Sequence, residues 1–288
     1  QRFQGVGEMD SWPGGLYYLT MLIPAWSYRQ FDADHRRDVP AETYGGWQRE
    51  DLSVDLDHTA FVVMHAWEPY TEQAYPGWYR AVEYLPRSRA LLDEVFPPLL
   101  RTVRDAGITL LHVVGGGDYY KSYPGYRHAI ELAGADDSPP RITPHESVRR
   151  ISELRGERVF VGRRNKADVA AARARRDFPA VARPRGEEGV GETANQLDAL
   201  CREADVSHLI YAGFAVNWCL LMSPAGMLDM SRRGYLCSAL RQAVTAVENR
   251  ESARTEAHKE EALWRVSLAF GYVFDVDPLL AALAGPRG

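Results

Sequence analysis

Cysteine is scarce: Cys201, Cys219 and Cys237 are the three in 288 residues. The number is odd, the three are well spread and no C-x-x-C spacing occurs. A disulfide framework and a zinc knuckle are thereby excluded, and reduced thiols are expected. No run of eighteen apolar residues exists, so no membrane-spanning helix is expected. The opening Gln1-Arg2-Phe3-Gln4 lacks the basic-then-apolar order of a secretion signal. Positive charge is not in excess either: the net charge is -5, and no global field would gather nucleic acid. Gly115-Gly116-Gly117 is no dinucleotide fingerprint, because it opens no helix at the right spacing. It reads as backbone passing close to a neighbour or ligand. Together these absences predict a cytoplasmic protein without a cofactor, with a small molecule rather than nucleic acid or membrane as its partner.

What is present is ordinary globular material, 45% apolar and 25% charged, in a length that one α/β unit can fill. Residues 1–50 differ from the rest. Trp12-Pro13-Gly14-Gly15 leads into an aromatic and aliphatic run from Leu16 to Trp26, then a polar stretch with Asp32, Asp34, His35, Arg36, Arg37 and Asp38. Without a helical period this predicts an arm or hairpin. It would serve as a contact in a homo-oligomer (a dimer or tetramer) or fold back over its own domain.

Residues 51–288 are expected to form the α/β domain. Short apolar runs at Thr59 to Met64, Ile108 to Val114, Arg158 to Gly162, His208 to Phe214 and Gly234 to Leu240 have the character of strands buried on both faces. Helical patterns at 87–106, 146–155, 166–176, 192–204, 218–232 and 251–265 alternate with them. Alternation predicts a three-layer, doubly wound and mainly parallel sheet with helices on both faces. Functional loops then gather at the carboxyl ends of the strands. The stretch from Phe178 to Gly191, rich in Pro, Gly, Arg and Glu, reads as a mobile surface loop, and the arginines at 173, 175, 176, 183 and 185 as a solvated face.

The strongest local signal is His208-Leu-Ile-Tyr-Ala-Gly-Phe-Ala-Val-Asn-Trp-Cys219. A buried strand runs to Gly213, the chain turns, and Cys219 falls in the first turn of a helix. Unpaired N–H groups and the helix dipole there stabilise a thiolate. The same N–H groups, at Trp218 and Cys219, are able to receive an oxyanion. The alternative is a small buried hydrophobe, which free cysteines often are.

The segment Gly213-Phe-Ala-Val-Asn-Trp-Cys219, followed by a helix closing in Arg233-Gly234-Tyr235, resembles the nucleophile segment of isochorismatase-like cysteine hydrolases. Asp55 to Met64 resembles their opening strand, Arg104 to Val113 their second helix–strand step, and Ala257-His258-Lys259 to Leu263 a late helix. The likeness spans residues 55 to 285. It implies their fold, a cis peptide near Ala215-Val216, a cysteine nucleophile and a hydrolytic or acyl-transfer reaction on an amide or related carbonyl. Some nicotinamidase-type relatives hold zinc through an Asp-x-His triplet after the first strand. None lies between His65 and Arg141, so no metal is expected.

Three positions depart from the pattern. His65 stands where the family has an Asp, Arg163 where it has a Lys, with Lys166 three residues on, and Gln242-Ala243 replaces a late Asp-Ala step. Imidazole ionises near pH 6.5 and is able to take a thiol proton, whereas Arg keeps only the positive charge. The resulting expectation is Cys219 as nucleophile, His65 as base and Arg163 or Lys166 as cation. Trp67, Glu68, Tyr119, Tyr120, Val216 and Trp218 would line the substrate pocket. Tyr- and Trp-rich segments equally suit a lid or an interface. A protein that binds a small molecule without turnover, or one whose chemistry has diverged, is the competing class.

Overall fold

The computed structural model describes residues 20–135 and 140–284. The expectations for residues 1–19 lie outside them. One eight-stranded sheet runs through the molecule: β1 (Thr20–Arg29), β2 (Gly46–Asp55), β3 (Thr59–Met64), β4 (Thr109–Val113), β5 (Gly189–Gly191), β6 (His208–Gly213), β7 (Leu236–Val244) and β8 (Val273–Phe274). Their order is β2-β1-β8-β7-β6-β3-β4-β5. Strands β3 to β8 pair in parallel, and the β1–β2 hairpin joins antiparallel through Ala25–Phe274 and Trp26–Val273. The mainly parallel, doubly wound sheet expected from the alternation is therefore what forms. The Leu16 to Trp26 run reads as extended chain, and its described part is the strand that extends this sheet. β2 runs on past residue 50.

Among the described residues ten helices accompany the sheet: α1 (Pro76–Ala81), α2 (Leu85–Ala90), α3 (Phe96–Asp105), α4 (Pro124–Ala133), α5 (Glu146–Arg158), α6 (Lys166–Ala174), α7 (Ala194–Glu203), α8 (Met227–Arg232), α9 (Ala257–Ala269) and α10 (Val276–Leu283). All six residues of β3 are buried, and the pleat sends them alternately to two cores. Phe61 and Val63 join Phe96, Leu99 and Leu279, from α3 and α10, on one face. Ala60, Val62 and Met64 join Leu197, Met230 and Leu263, from α7, α8 and α9, on the other. Among the described residues no helix is long and apolar enough to cross a membrane.

Two expected elements fail. Arg158 to Gly162 is no strand: Arg158 ends α5, and Val159 and Phe160 are exposed. The place beside β4 belongs instead to Gly189–Gly191, in the stretch read as a mobile loop. At Gly189 a Cβ would lie 2.9 Å from methyl groups of Leu111 and Leu200, so a side chain there would have to displace these leucines for the strand to reach β4. The helix expected over 218–232 is broken. One wide turn spans Val216–Leu220, residues 223–226 leave the helical path, and α8 begins at Met227. Pro224 has no N–H with which to continue the ladder.

Candidate active site

From β3 the chain winds outward to β4 and β5, then returns to place β6 on the other side of β3. Such a reversal opens a crevice at the carboxyl ends of the two strands where it occurs. His65 follows β3, and the turn bearing Cys219 follows β6.

The turn is built on Gly213. Its φ is +130°, and a Cβ there would collide with the Met64 carbonyl oxygen. That oxygen accepts a hydrogen bond from Phe214 N–H at 3.1 Å. The Phe214–Ala215 peptide is cis, one residue earlier than the resemblance implied. Val216 N–H donates to Thr245 O at 2.7 Å. The Asn217 carboxamide closes a two-bond clamp on Val247, Nδ2 donating to its carbonyl at 2.8 Å and Oδ1 accepting its N–H at 2.9 Å. Asn217 thus ties the turn to the segment after β7. Of the two N–H groups expected to receive an oxyanion, that of Trp218 already donates to Ala215 O at 3.2 Å.

A cavity of about 700 Å³ opens at this crevice, and Cys219, His65, Trp67, Trp218 and Arg176 are among the residues that line it. This is an ordinary size for a small-molecule pocket. His65 has φ +52°, and its N–H donates to Val113 O at 2.8 Å. Burial and the nearby Arg176 charge pull the imidazole pKa down to about 4, against a hydrogen bond to the Val114 backbone that favours the charged form. The ring is therefore neutral at pH 7. With one nitrogen donating to a carbonyl, the other keeps a lone pair. Arg176 Nη1 reaches the Gly115 and Gly116 carbonyls at 2.7 and 3.1 Å, and its guanidinium lies 5.7 Å from the Trp67 ring. Tyr84, buried in the same wall, feels the charges of Cys219, Arg176 and Arg173. Cys219 is half-buried, whereas Cys201 and Cys237 are sealed in the core and burial pushes both thiols up to about 12.

The residues expected at the site divide sharply. Cys219, His65, Trp67 and Trp218 border the cavity. Arg163 does not: it is exposed and pairs with Glu157 at 3.4 Å. Lys166 is exposed at the start of α6. Both were placed by taking Arg158 to Gly162 as the third strand. The third parallel strand in chain order is β5, so the residue directly after it is Glu192, which does border the cavity. The cations that reach the cavity from this part of the chain are Arg155, Arg173 and Arg176, the last two read from the sequence as solvated surface.

Glu68 lies outside the cavity, ion-paired with Arg89. Val216 is buried under the turn. Tyr119 and Tyr120 pack with Tyr123, Tyr126 and Phe178 in a small aromatic core of their own. Gln242 holds α10 in place: its Nε2 donates to Asp275 at 2.8 Å and its Oε1 accepts Val276 N–H at 2.9 Å. Among the described residues no three His, Cys, Asp or Glu side chains come together as a metal site would require.

No family model matches this chain, and no curated protein does. Solved structures do. One is a cysteine hydrolase from Pseudomonas syringae pv. phaseolicola 1448A, 16% identical with a TM-score of 0.47, over 80% of this chain and 94% of that one. Another is an isochorismatase family protein from Desulfovibrio vulgaris subsp. vulgaris str. Hildenborough, 16% identical with a TM-score of 0.43, over 79% and 99%. A third is an N-carbamoylsarcosine amidase from Thermoplasma acidophilum, 12% identical with a TM-score of 0.39, over 80% and 99%. The similarity is to isochorismatase-type proteins. That is the group the nucleophile segment resembles, and at this distance the chemistry has to be read from the chain's own residues.

Proposed function

We propose that this chain is a cysteine hydrolase, or an acyl-transfer enzyme, acting on an amide or related carbonyl of a small molecule. One observation supports this above the others: the accessible thiol Cys219 borders the same cavity as a neutral imidazole, His65. Cys219 Sγ attacks the carbonyl carbon as His65 takes the thiol proton, and the Cys219 N–H faces the developing oxyanion. The tetrahedral adduct expels the amine, which leaves with the proton from His65. A water molecule, deprotonated by His65, then cleaves the thioester, or another nucleophile takes the acyl group. Arg176, fixed on the Gly115–Gly116 carbonyls, supplies positive charge in place of Arg163 and Lys166.

Thiol labelling tests the reading. Cys219 reacts with iodoacetamide below pH 8, at least tenfold faster than Cys201 and Cys237, whose burial suppresses both access and ionisation. Equally slow labelling of all three removes the nucleophile. The low basicity of His65 favours a second reading, a pocket that binds without thiol chemistry. Under it, Cys219→Ser leaves ligand affinity and any turnover intact.

A further inference from the structure

We propose that the cavity takes an anionic small molecule with a flat apolar body, its carboxylate or phosphate held by Arg173 and Arg176. The inference deepens the hydrolase reading by naming a substrate class, although binding itself requires no reaction.

Arg173 belongs to the last turn of α6 and Arg176 follows three residues later, so both guanidiniums reach the cavity from one side. Among the described residues neither guanidinium is ion-paired with a carboxylate, and that of Arg173 makes no side-chain hydrogen bond, although its carbonyl accepts Arg176 N–H at 3.2 Å. Two like charges converge there, and the Arg173 pKa is lowered by burial and by Arg176. The carboxylates at the cavity wall pair with neither of them and have hydrogen-bond partners of their own. Glu83 is bound by Arg87 Nη2 at 2.8 and 2.7 Å. Glu248 accepts the His258 and Lys259 N–H groups at the start of α9, at 3.1 and 2.9 Å. Glu192 accepts Tyr126 OH at 3.1 Å.

Arg176 is also pre-organised. Nη1 is spent on two carbonyls, which fixes the plane of the fork and leaves its other donors available for a planar oxyanion. Trp67, Trp78, Trp218 and Tyr84 add aromatic faces to a wall that also carries Arg80 and Arg155. Such faces suit a flat ring more than a flexible aliphatic chain. Arg173, Arg176, Tyr84 and Cys219 border one cavity, so an anion on the arginines would share its compartment with the thiol.

Calorimetric titration of the full chain with naphthalene-2-carboxylate, 2-naphthyl phosphate and naphthalene-2-carboxamide tests this. At least one anion is expected to bind about tenfold or more tighter than the neutral amide, with affinity falling as salt is added. Whether carboxylate or phosphate binds more tightly decides the anion. Arg173→Gln, which breaks no side-chain hydrogen bond or ion pair among the described residues, is expected to weaken the preferred anion about tenfold and leave the amide unchanged. Equal affinity for all three compounds, no binding of either anion, or an Arg173→Gln variant with wild-type preference overturns the proposal. Iodoacetamide labelling of Cys219 reads the nucleophile separately, so a reactive thiol in a cavity indifferent to charge would remove the substrate class and leave the hydrolase.

Discussion

A side chain at position 213 has nowhere to go, since β6 there passes directly against the Met64 carbonyl that the next N–H uses. Gly213→Ala is expected to cost more than about 4 kcal/mol, the range reached when backbone must move inside a packed core. Urea denaturation measures it, and a loss below about 1 kcal/mol would contradict the geometry. At His65 the pKa of about 4 predicts that the Cε1–H proton resonance stays at its neutral position from pH 8 to pH 5 and moves only near pH 4. An ordinary midpoint near 6.5 would show that burial and Arg176 do not act as described. His208, buried and also drawn down to about 4, behaves likewise. The unfolded chain then binds protons that the folded protein refuses. Stability is at its full value above pH 6.5 and is lost as pH falls through 4, by up to roughly 3 kcal/mol per histidine. Urea midpoints at pH 7, 5 and 4 follow that loss.

Elements were legible where residues advertise them. β3 and β6 are apolar runs of β-branched and aromatic residues, and α7 begins with the Thr193–Gln196 capping box. β5 was illegible because Gly-Val-Gly carries almost no strand propensity, while at Gly189 the leucines around it leave little room for a side chain. The converse error, Arg158 to Gly162, has strand-like residues, but Arg158 belongs to α5 and Val159 and Phe160 are exposed beyond it. Mistaking one for the other moved the expected cation from Arg173 and Arg176 to Arg163. What secures β5 beside β4 is a buried cluster: Glu188 is bound by Arg104 Nε at 2.6 Å and by His112 Nε2 at 2.9 Å. Burial raises the Glu188 pKa, but these two partners outweigh it and draw the value down to about 2. The contribution of this carboxylate is present above the unfolded value of about 4.5 and is lost as pH falls through 2. Glu188→Gln is expected to cost about 2–4 kcal/mol at pH 7, with the difference from wild type shrinking between pH 4.5 and 2 in denaturant titrations. A pH-independent difference would assign the loss to shape alone.

Across the whole molecule, the hairpin closes one end of the sheet. Ile23 and Ala25 are fully buried, Trp26 Nε1 donates to Asp275 at 2.6 Å, and β1 covers the edge of β8. Deleting residues 20–55 would leave that edge and Phe274 open to pairing with other chains. The deleted form is expected to aggregate or to unfold without a cooperative transition, as read by size-exclusion chromatography and thermal melts. A monomeric, cooperatively folding product would show the hairpin to be an accessory.

The alternation of strands and helices over most of the chain, the two-faced core and the position of Cys219 after a buried strand follow from the sequence, because periodicity and glycine placement act over a few residues and need no partner. Which cations reach the thiol, which acid follows the third parallel strand and which tyrosines stay in the core were decided by the tertiary structure. Those are properties of side chains from distant segments meeting in one crevice, and the sheet edge that brings them there was formed by a strand with almost no sequence signature.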